Sequence, residues 1–499
     1  MLRVRNYFIA FAVVFAISSA YALIGIQDAK AQAAGSGVAY ADLIKRIEAL
    51  ESNGGGNVTT GARGLKIGFN IRHRFELRDD NGGNKNSATS DFTLQRIRLS
   101  FDADVNKNVR AFIKLQDSRT FGVEGFAGNG TVGNLARVDL NEAYVELRNL
   151  GDLSSVLENV SVKIGRWQWF YGEHRLIGTL NWANQSRSYD GARIRWQKDK
   201  NWVDVFAASI EEDQTGGVAG EEDGLAEMDE LFWGLYSNFR VTDGLDLQPY
   251  FIIRNRSRDA DASRGPGAAG EQRYTAGARI AGSKIPSLPG VDFSLEQAWQ
   301  FGRVEPTTYR STDIDAFGGA WGAGYTFSNV PWSPRIGYKF VYASGDDDTA
   351  DRDAETFSQL YPTGHARLGY IDFHGWQNIE AHKIEFSAKP SKKLLLKADL
   401  WFFENNEEND SWYTVGGGPR GGFSAAQAKA ASTNRDDTYG QELDLVFKYK
   451  LFKNFSVVGG YSRYFVDDFI EDSVNGGVGG TLNNDSDTDW VWLQTTVKF

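Results

Sequence analysis

A transmembrane β-barrel of about eighteen antiparallel strands is the fold this sequence predicts. Three observations carry that prediction. Amphipathic segments with a period of two recur from residue 65 to the end, the connections between them alternate short and long, and the chain stops on an aromatic closing one such segment. A soluble sandwich has no reason to sort its loops by length. A barrel with tight turns at one rim and long loops at the other does, and its closure pairs every backbone group that must cross lipid.

Composition agrees. Hydrophobic residues make up 41% and aromatics 13%, with 55 glycines and 10 prolines, which suits a large all-β chain with many turns. The absence of cysteine excludes disulfides, thiolate metal sites and a cysteine nucleophile. A net charge of −11 argues against nucleic acid as a partner, because phosphate binding needs a basic face.

Residues 1–33 read as a signal peptide. Arg3 and Arg5 precede an apolar run over 7–26, and Ala31-Gln32-Ala33 has the small-x-small form of a cleavage site; an uncleaved anchor is the alternative. No later run approaches the ~20 apolar residues a membrane helix needs. Residues 34–64 hold a short amphipathic helix, with Leu43, Ile44, Ile47 and Leu50 on one face, and then a Gly-rich linker. That helix is either a small coil on which the chain forms a homo-oligomer or a frayed segment.

The barrel is expected over 65–499. In its first strand Leu65, Ile67, Phe69, Ile71, Phe75 and Leu77 share one face, while Arg72, Arg74, Glu76 and Arg78 share the other. The second sets Ile97, Leu99, Phe101 and Ala103 against Arg96, Arg98, Asp102 and Asp104. Further strands centre near residues 112, 144, 164, 194, 205, 235, 251, 277, 296, 321, 339, 384, 399, 445, 460 and 494. Connections after even-numbered strands are mostly short, as at 106–108, 198–201, 241–244, 331–334, 390–393 and 451–454. Those after odd-numbered strands are long and polar, as at 79–90, 210–228, 344–379, 405–437 and 467–489. Tyr325, Trp332, Trp401 and Tyr449 near strand ends fit aromatic girdles at the two membrane interfaces.

A barrel this wide encloses an aqueous lumen, so the inward positions carry function. They include Arg72, Arg74, Arg96, Arg98, Arg110, Lys114, Arg193, Arg195, Arg254, Arg256 and Arg279, with Arg166 at the edge of a longer excursion. Arginines spaced by two put both guanidinium forks on one side of a strand, a geometry suited to carboxylates and sugar acids. Inward acids, among them Asp102, Asp104, Glu76, Glu142, Glu146, Glu296, Asp399, Glu442 and Asp444, offer the other outcome: ladders of ion pairs that hold the wall together. The early strands are the more basic and the later ones the more acidic, so opposite walls carry opposite fields.

Two loops are rich in acid, one at Glu211, Glu212, Asp213, Glu221, Glu222 and Asp223, the other at Asp346, Asp347, Asp348, Asp351 and Asp353. Carboxylate clusters can take calcium, but the EF-hand spacing is absent and no metal site or cofactor is assigned. The five histidines, His73, His174, His365, His374 and His382, come with no nucleophile elbow or HExxH motif, so no catalytic site is assigned either and the chain is read as a non-enzyme.

The stretch at 164–196, IGRWQWFYGEHRLIGTLNWANQSRSYDGARIRW, resembles the signature region of the bacterial alginate-export family. The matching residues are Gly165, Arg166, Tyr171, Gly172, Arg175, Leu176, Gly178, Trp182, Asn184, Arg187, Asp190 and Gly191. A second stretch at 360–378, LYPTGHARLGYIDFHGWQN, is similar to that family's Tyr-Pro-Thr, Gly-Tyr-x-Asp and Gly-Trp loop. The resemblance implies an outer-membrane barrel of a Gram-negative bacterium with an electropositive pore and inward-folding loops that regulate passage. Its activity would be passive diffusion of anionic or polar solutes, including an acidic polysaccharide such as alginate. The alternatives are a general or anion-selective porin for small solutes, a barrel lipase or protease, and an adhesive barrel. The excursion is the candidate constriction, with Arg166, Arg175 and Arg187 presenting its charge.

Overall fold

The computed structural model describes residues 64–79, 89–122, 138–210, 230–256, 270–305, 311–348, 351–419, 437–467, 469–470 and 487–499. The signal peptide, the amphipathic helix and the acidic loop at 211–229 lie outside the described residues.

Among the described residues nineteen strands run in chain order: β1 (Leu65–Arg78), β2 (Ser90–Asp104), β3 (Val109–Phe121), β4 (Asp139–Leu147), β5 (Val160–Trp167), β6 (Tyr189–Lys198), β7 (Asn201–Ile210), β8 (Glu230–Thr242), β9 (Leu245–Arg256), β10 (Gly270–Ser283), β11 (Val291–Glu305), β12 (Thr312–Thr326), β13 (Arg335–Ala343), β14 (Asp353–Ala354), β15 (Ile379–Ser391), β16 (Leu394–Glu404), β17 (Thr438–Phe452), β18 (Phe455–Val466) and β19 (Thr488–Lys498). The two-residue β14 belongs to a loop and runs parallel to β12. The other eighteen pair antiparallel with their neighbours in sequence, and β1 pairs with β19 from Asn70 opposite Lys498 to Arg78 opposite Trp490, closing the barrel. The amides of Phe69 and Phe499 exchange hydrogen bonds of 2.9 and 3.1 Å, and their rings lie 5.3 Å apart, so the terminal aromatic locks the seam.

The period of two sorts side chains as the sequence requires. Leu295, Trp299 and Phe301 of β11 are exposed on the outer face, whereas Glu296 and Gln300 between them are buried. The same alternation puts Ile113, Val145, Ile164, Ile194, Val205, Ile384 and Leu445 on the outside, an apolar belt that water would not favour and lipid does. Trp332 and Tyr325 are exposed, as interface residues should be. Trp401 is not: it is 1% exposed and stacks on Phe403 at 5.4 Å. It shares the inward parity of Asp399, and an aromatic inside a barrel is accommodated here because loops, rather than water, occupy that part of the interior.

Short turns close one rim: β6 passes to β7 over 199–200, β8 to β9 over 243–244, β15 to β16 over 392–393 and β17 to β18 over 453–454. The long connections leave from the opposite rim. Two of them, 168–188 and 344–378, turn back into the barrel.

Candidate functional site

The first inward loop leaves the wall where β5 ends. Trp169 packs edge-on against Phe206 at 4.9 Å, and Tyr171 stacks on Tyr236 at 4.2 Å while its hydroxyl donates to Asp204 at 2.7 Å. These contacts tie one side of the loop to β7 and β8, while Phe170 on the other side is exposed. The chain then crosses to the opposite wall. Arg72 donates to the carbonyls of Asn181 (2.8 Å) and Ala183 (2.9 Å), Arg96 to the same two (3.0 and 3.2 Å), and Arg74 to that of Trp182 (2.7 Å). Arg98 reaches Asn181 Oδ1 and Ser186 Oγ, and the Arg74 guanidinium sits 3.8 Å over the Trp182 ring. An irregular loop in a barrel has carbonyls with no ladder to join, and Arg72, Arg74 and Arg96 supply the missing donors while Arg98 holds the loop's side chains. All four are buried, and Asn184 beneath them is fully buried.

The second inward loop docks on the first. Tyr361 N–H donates to Leu176 O, Gly178 N–H to Tyr361 O and Thr363 N–H to His174 O, each at 2.8 Å, and Arg187 donates to Pro362 O at 2.9 Å. A Cβ on Gly178 would lie 2.4 Å from the Thr363 nitrogen, so only glycine permits this approach. The second loop is fixed from behind by Glu442, whose Oε1 accepts from the amides of Tyr370 (2.6 Å) and Ile371 (2.9 Å). Trp412 Nε1 donates to His374 Nδ1 at 3.0 Å, which leaves His374 Nε2 to donate to the Tyr464 hydroxyl at 2.9 Å. His365 stacks on Trp182 at 3.8 Å and bonds Asp372 at 2.8 Å. His174 is held down at about 4 by burial and by Arg367, so it is neutral at physiological pH. These histidines brace one loop against another or against the wall.

On the β8–β15 side a cavity of about 640 Å³ remains. Its cations are Lys200, Arg240, Arg279, Lys284, Arg335 and Lys339; its acids are Glu173, Asp243, Asp246, Asp292 and Glu385. Arg240 pairs with Asp246 at 2.6 Å, and Arg335 forks onto Asp292 (2.7 and 2.8 Å) while reaching Glu385 at 2.8 Å. Glu173 projects into this space from the first loop and meets Lys339 at 3.2 Å, Arg175 at 3.5 Å, Arg279 at 3.7 Å and Arg367 at 3.9 Å. Burial alone would raise its carboxyl, but Lys339, Arg175 and Arg367 hold it well below the usual carboxylate range.

The predicted arginines thus fall into separate groups. Arg72, Arg74, Arg96 and Arg98 lie beneath the first loop. Arg110 pairs with Asp102 (2.8 Å) and Glu146 (3.1 Å), Lys114 with Glu142, Arg166 with Asp190 (2.7 Å) and Arg195 with Asp204 (2.6 Å). Arg193 stands between Glu146 (3.6 Å) and Asp204 (3.9 Å), while Arg254 and Arg256 approach Glu271 at 2.5 and 3.8 Å. Arg175 and Arg187 belong to the loop junction. Arg240, Arg335, Lys339, Arg367 and Glu173 were not singled out from sequence. The first three have no basic partner two residues away on their strands, Arg335 and Lys339 being four apart on β13, so a search for paired arginines passes over them. Outside, Asp346, Asp347 and Glu355 offer carboxylate oxygens within 4.8 Å of one another; Asp346 is raised to about 6 by burial and by Asp410, Asp351 and Glu355.

The family model described as Alginate export matches residues 63–477. Among curated proteins none matches. Solved structures similar to this chain include Acinetobacter baumannii OccAB2 (TM-score 0.54, 10% identity, 87% of this chain and 98% of that one) and Pseudomonas aeruginosa OccD3, OpdP (0.53, 14%, 89% and 93%). Pseudomonas aeruginosa OpdQ is similar too (0.52, 12%, 87% and 98%). At these identities the likeness is one of fold.

Proposed function

This chain belongs to the alginate export family, and from that premise we propose that it lets anionic or polar solutes, up to an acidic polysaccharide such as alginate, diffuse through the outer membrane of a Gram-negative bacterium. Fold and family together make it an outer-membrane channel rather than an enzyme. The observation that carries the solute class is the Glu173 cluster, where four cations meet one loop carboxylate beside an open cavity. A passing carboxylate finds guanidinium forks there in a setting partly shielded from water, where each is worth more than at a surface. The site attracts without trapping because every cation is shared with an acid, and a channel must release what it admits.

Uptake of small anions is the second reading, supported by the alternation of Arg–carboxylate pairs along the cavity wall. Planar-bilayer recording tests both. The purified barrel should conduct with a preference for anions, and uronate oligomers should block the current if polymers thread the pore, whereas only monomers should interact if small solutes are the cargo. A folded barrel that passes no current would sink the channel reading.

A further inference from the structure

One carboxylate cannot satisfy four cations, and the hydrogen bonds around Glu173 show the shortfall. Arg175 is 3% exposed, yet its Nε and Nη2 have no hydrogen-bond partner, and neither does Nε of Arg367. Glu296, the other acid facing the cluster, accepts from the Tyr250 hydroxyl at 3.3 Å through Oε1 and leaves Oε2 unpartnered. Buried donors without acceptors are costly, so a cluster that keeps them beside a cavity is built for an anion that comes and goes. The carboxylate already present is on a loop. Glu173 has no strand hydrogen bond to break, and a rotamer change withdraws it while Arg279 and Lys339 stay fixed on β10 and β13.

We propose that Glu173 is a tethered counter-anion holding the seat that a solute carboxylate takes in transit, so that solutes pass by exchange with it. The inference rests on the channel reading above. An arriving carboxylate pairs with Arg279 and Lys339, which line the cavity, while Glu173 turns to the buried free donors of Arg175 and Arg367, and its return releases the solute. A tethered competitor has a high local concentration and keeps residence short. Its ionised state through the physiological range, imposed by the same cations, means that it competes at every working pH.

The test is single-channel recording of the full-length protein, wild type and Glu173→Gln, in potassium chloride gradients with galacturonate as the probe. Removing the charge should raise the chloride-over-potassium permeability ratio about threefold and lengthen galacturonate blocks about tenfold, the change expected from losing roughly 1.4 kcal/mol of competition. Glu173→Asp, which keeps the charge, should stay near wild type, and heat-modifiable gel mobility identifies folded barrels. A folded Glu173→Gln channel with wild-type selectivity and block times overturns the proposal and leaves the channel reading standing. A wild-type barrel that does not conduct overturns both.

Discussion

The wall made by β1–β3 and the wall made by β8–β15 are both rich in inward arginine, yet they use it differently. On the first, Arg72, Arg74, Arg96 and Arg98 point at backbone carbonyls of 181–183 and at side chains of the same loop. On the second, Arg240, Arg279, Arg335 and Lys339 point at a cavity and at carboxylates. The same residue type is a bolt where a loop lies over it and a pore lining where nothing does. Charge read along a strand does not distinguish the two, because the difference is made by a segment remote in sequence.

The sharpest way to break that contrast is to remove the cover. Deleting most of 172–188 should at least double the single-channel conductance while the barrel still folds, since strand pairing does not depend on the loop; unchanged conductance would make the loop irrelevant to the pore. Next comes the bolt side. Arg72→Gln with Arg96→Gln should lower the barrel's unfolding temperature and make the current noisy, costing about 2–4 kcal/mol as carbonyls lose charged donors, with only a small change in ion selectivity. The mirror experiment on the lining side, Arg279→Gln with Lys339→Gln, should shift the reversal potential toward cations at nearly constant stability. If the bolt variant changes selectivity more than the lining variant, the division is wrong.

A smaller effect is expected at the junction of the two inward loops. Gly178→Ala forces the loops apart against Thr363 and should cost about 1–3 kcal/mol by overpacking, visible as faster hydrogen exchange at 176–178 and 361–363. Smallest is the outer rim. Asp346, raised to about 6, favours the folded loop fully below its ordinary value and loses that contribution as pH rises through about 6, with solvent screening keeping it modest. Protection factors around 344–348, which remove the intrinsic pH dependence of exchange, should therefore fall between pH 4 and 7, and Asp346→Asn should abolish that fall.

Much of the wall was legible because period two and loop alternation are local properties: the outward set of β11 and the inward pairs of β1 and β2 stand as their spacing requires. Both loop segments that resembled the family stood out in sequence by their aromatics and glycines. Their mutual docking did not, since Ile177 and Tyr361 meet from segments far apart in sequence. Trp401 was misjudged for the same reason: its position near a strand end suggests an interface, and only the loop packed inside explains its inward burial. Glu173 carries no pattern at all, because its meaning comes from Arg279, Lys339 and Arg367, which arrive from three other parts of the chain.

Trp182 lies under the Arg74 guanidinium of β1 and stands edge-on to Trp492 of β19 at 4.9 Å and to Trp490 at 6.0 Å. It therefore straddles the line where the first and last strands join. Half of its seat is made by β1 and the other half by β19, so the seat exists only in a barrel that has already closed. The loop that narrows the pore is in this sense a clasp that can be fastened only after the hoop has been sealed, which couples assembly of the wall to the moment the channel acquires its final bore.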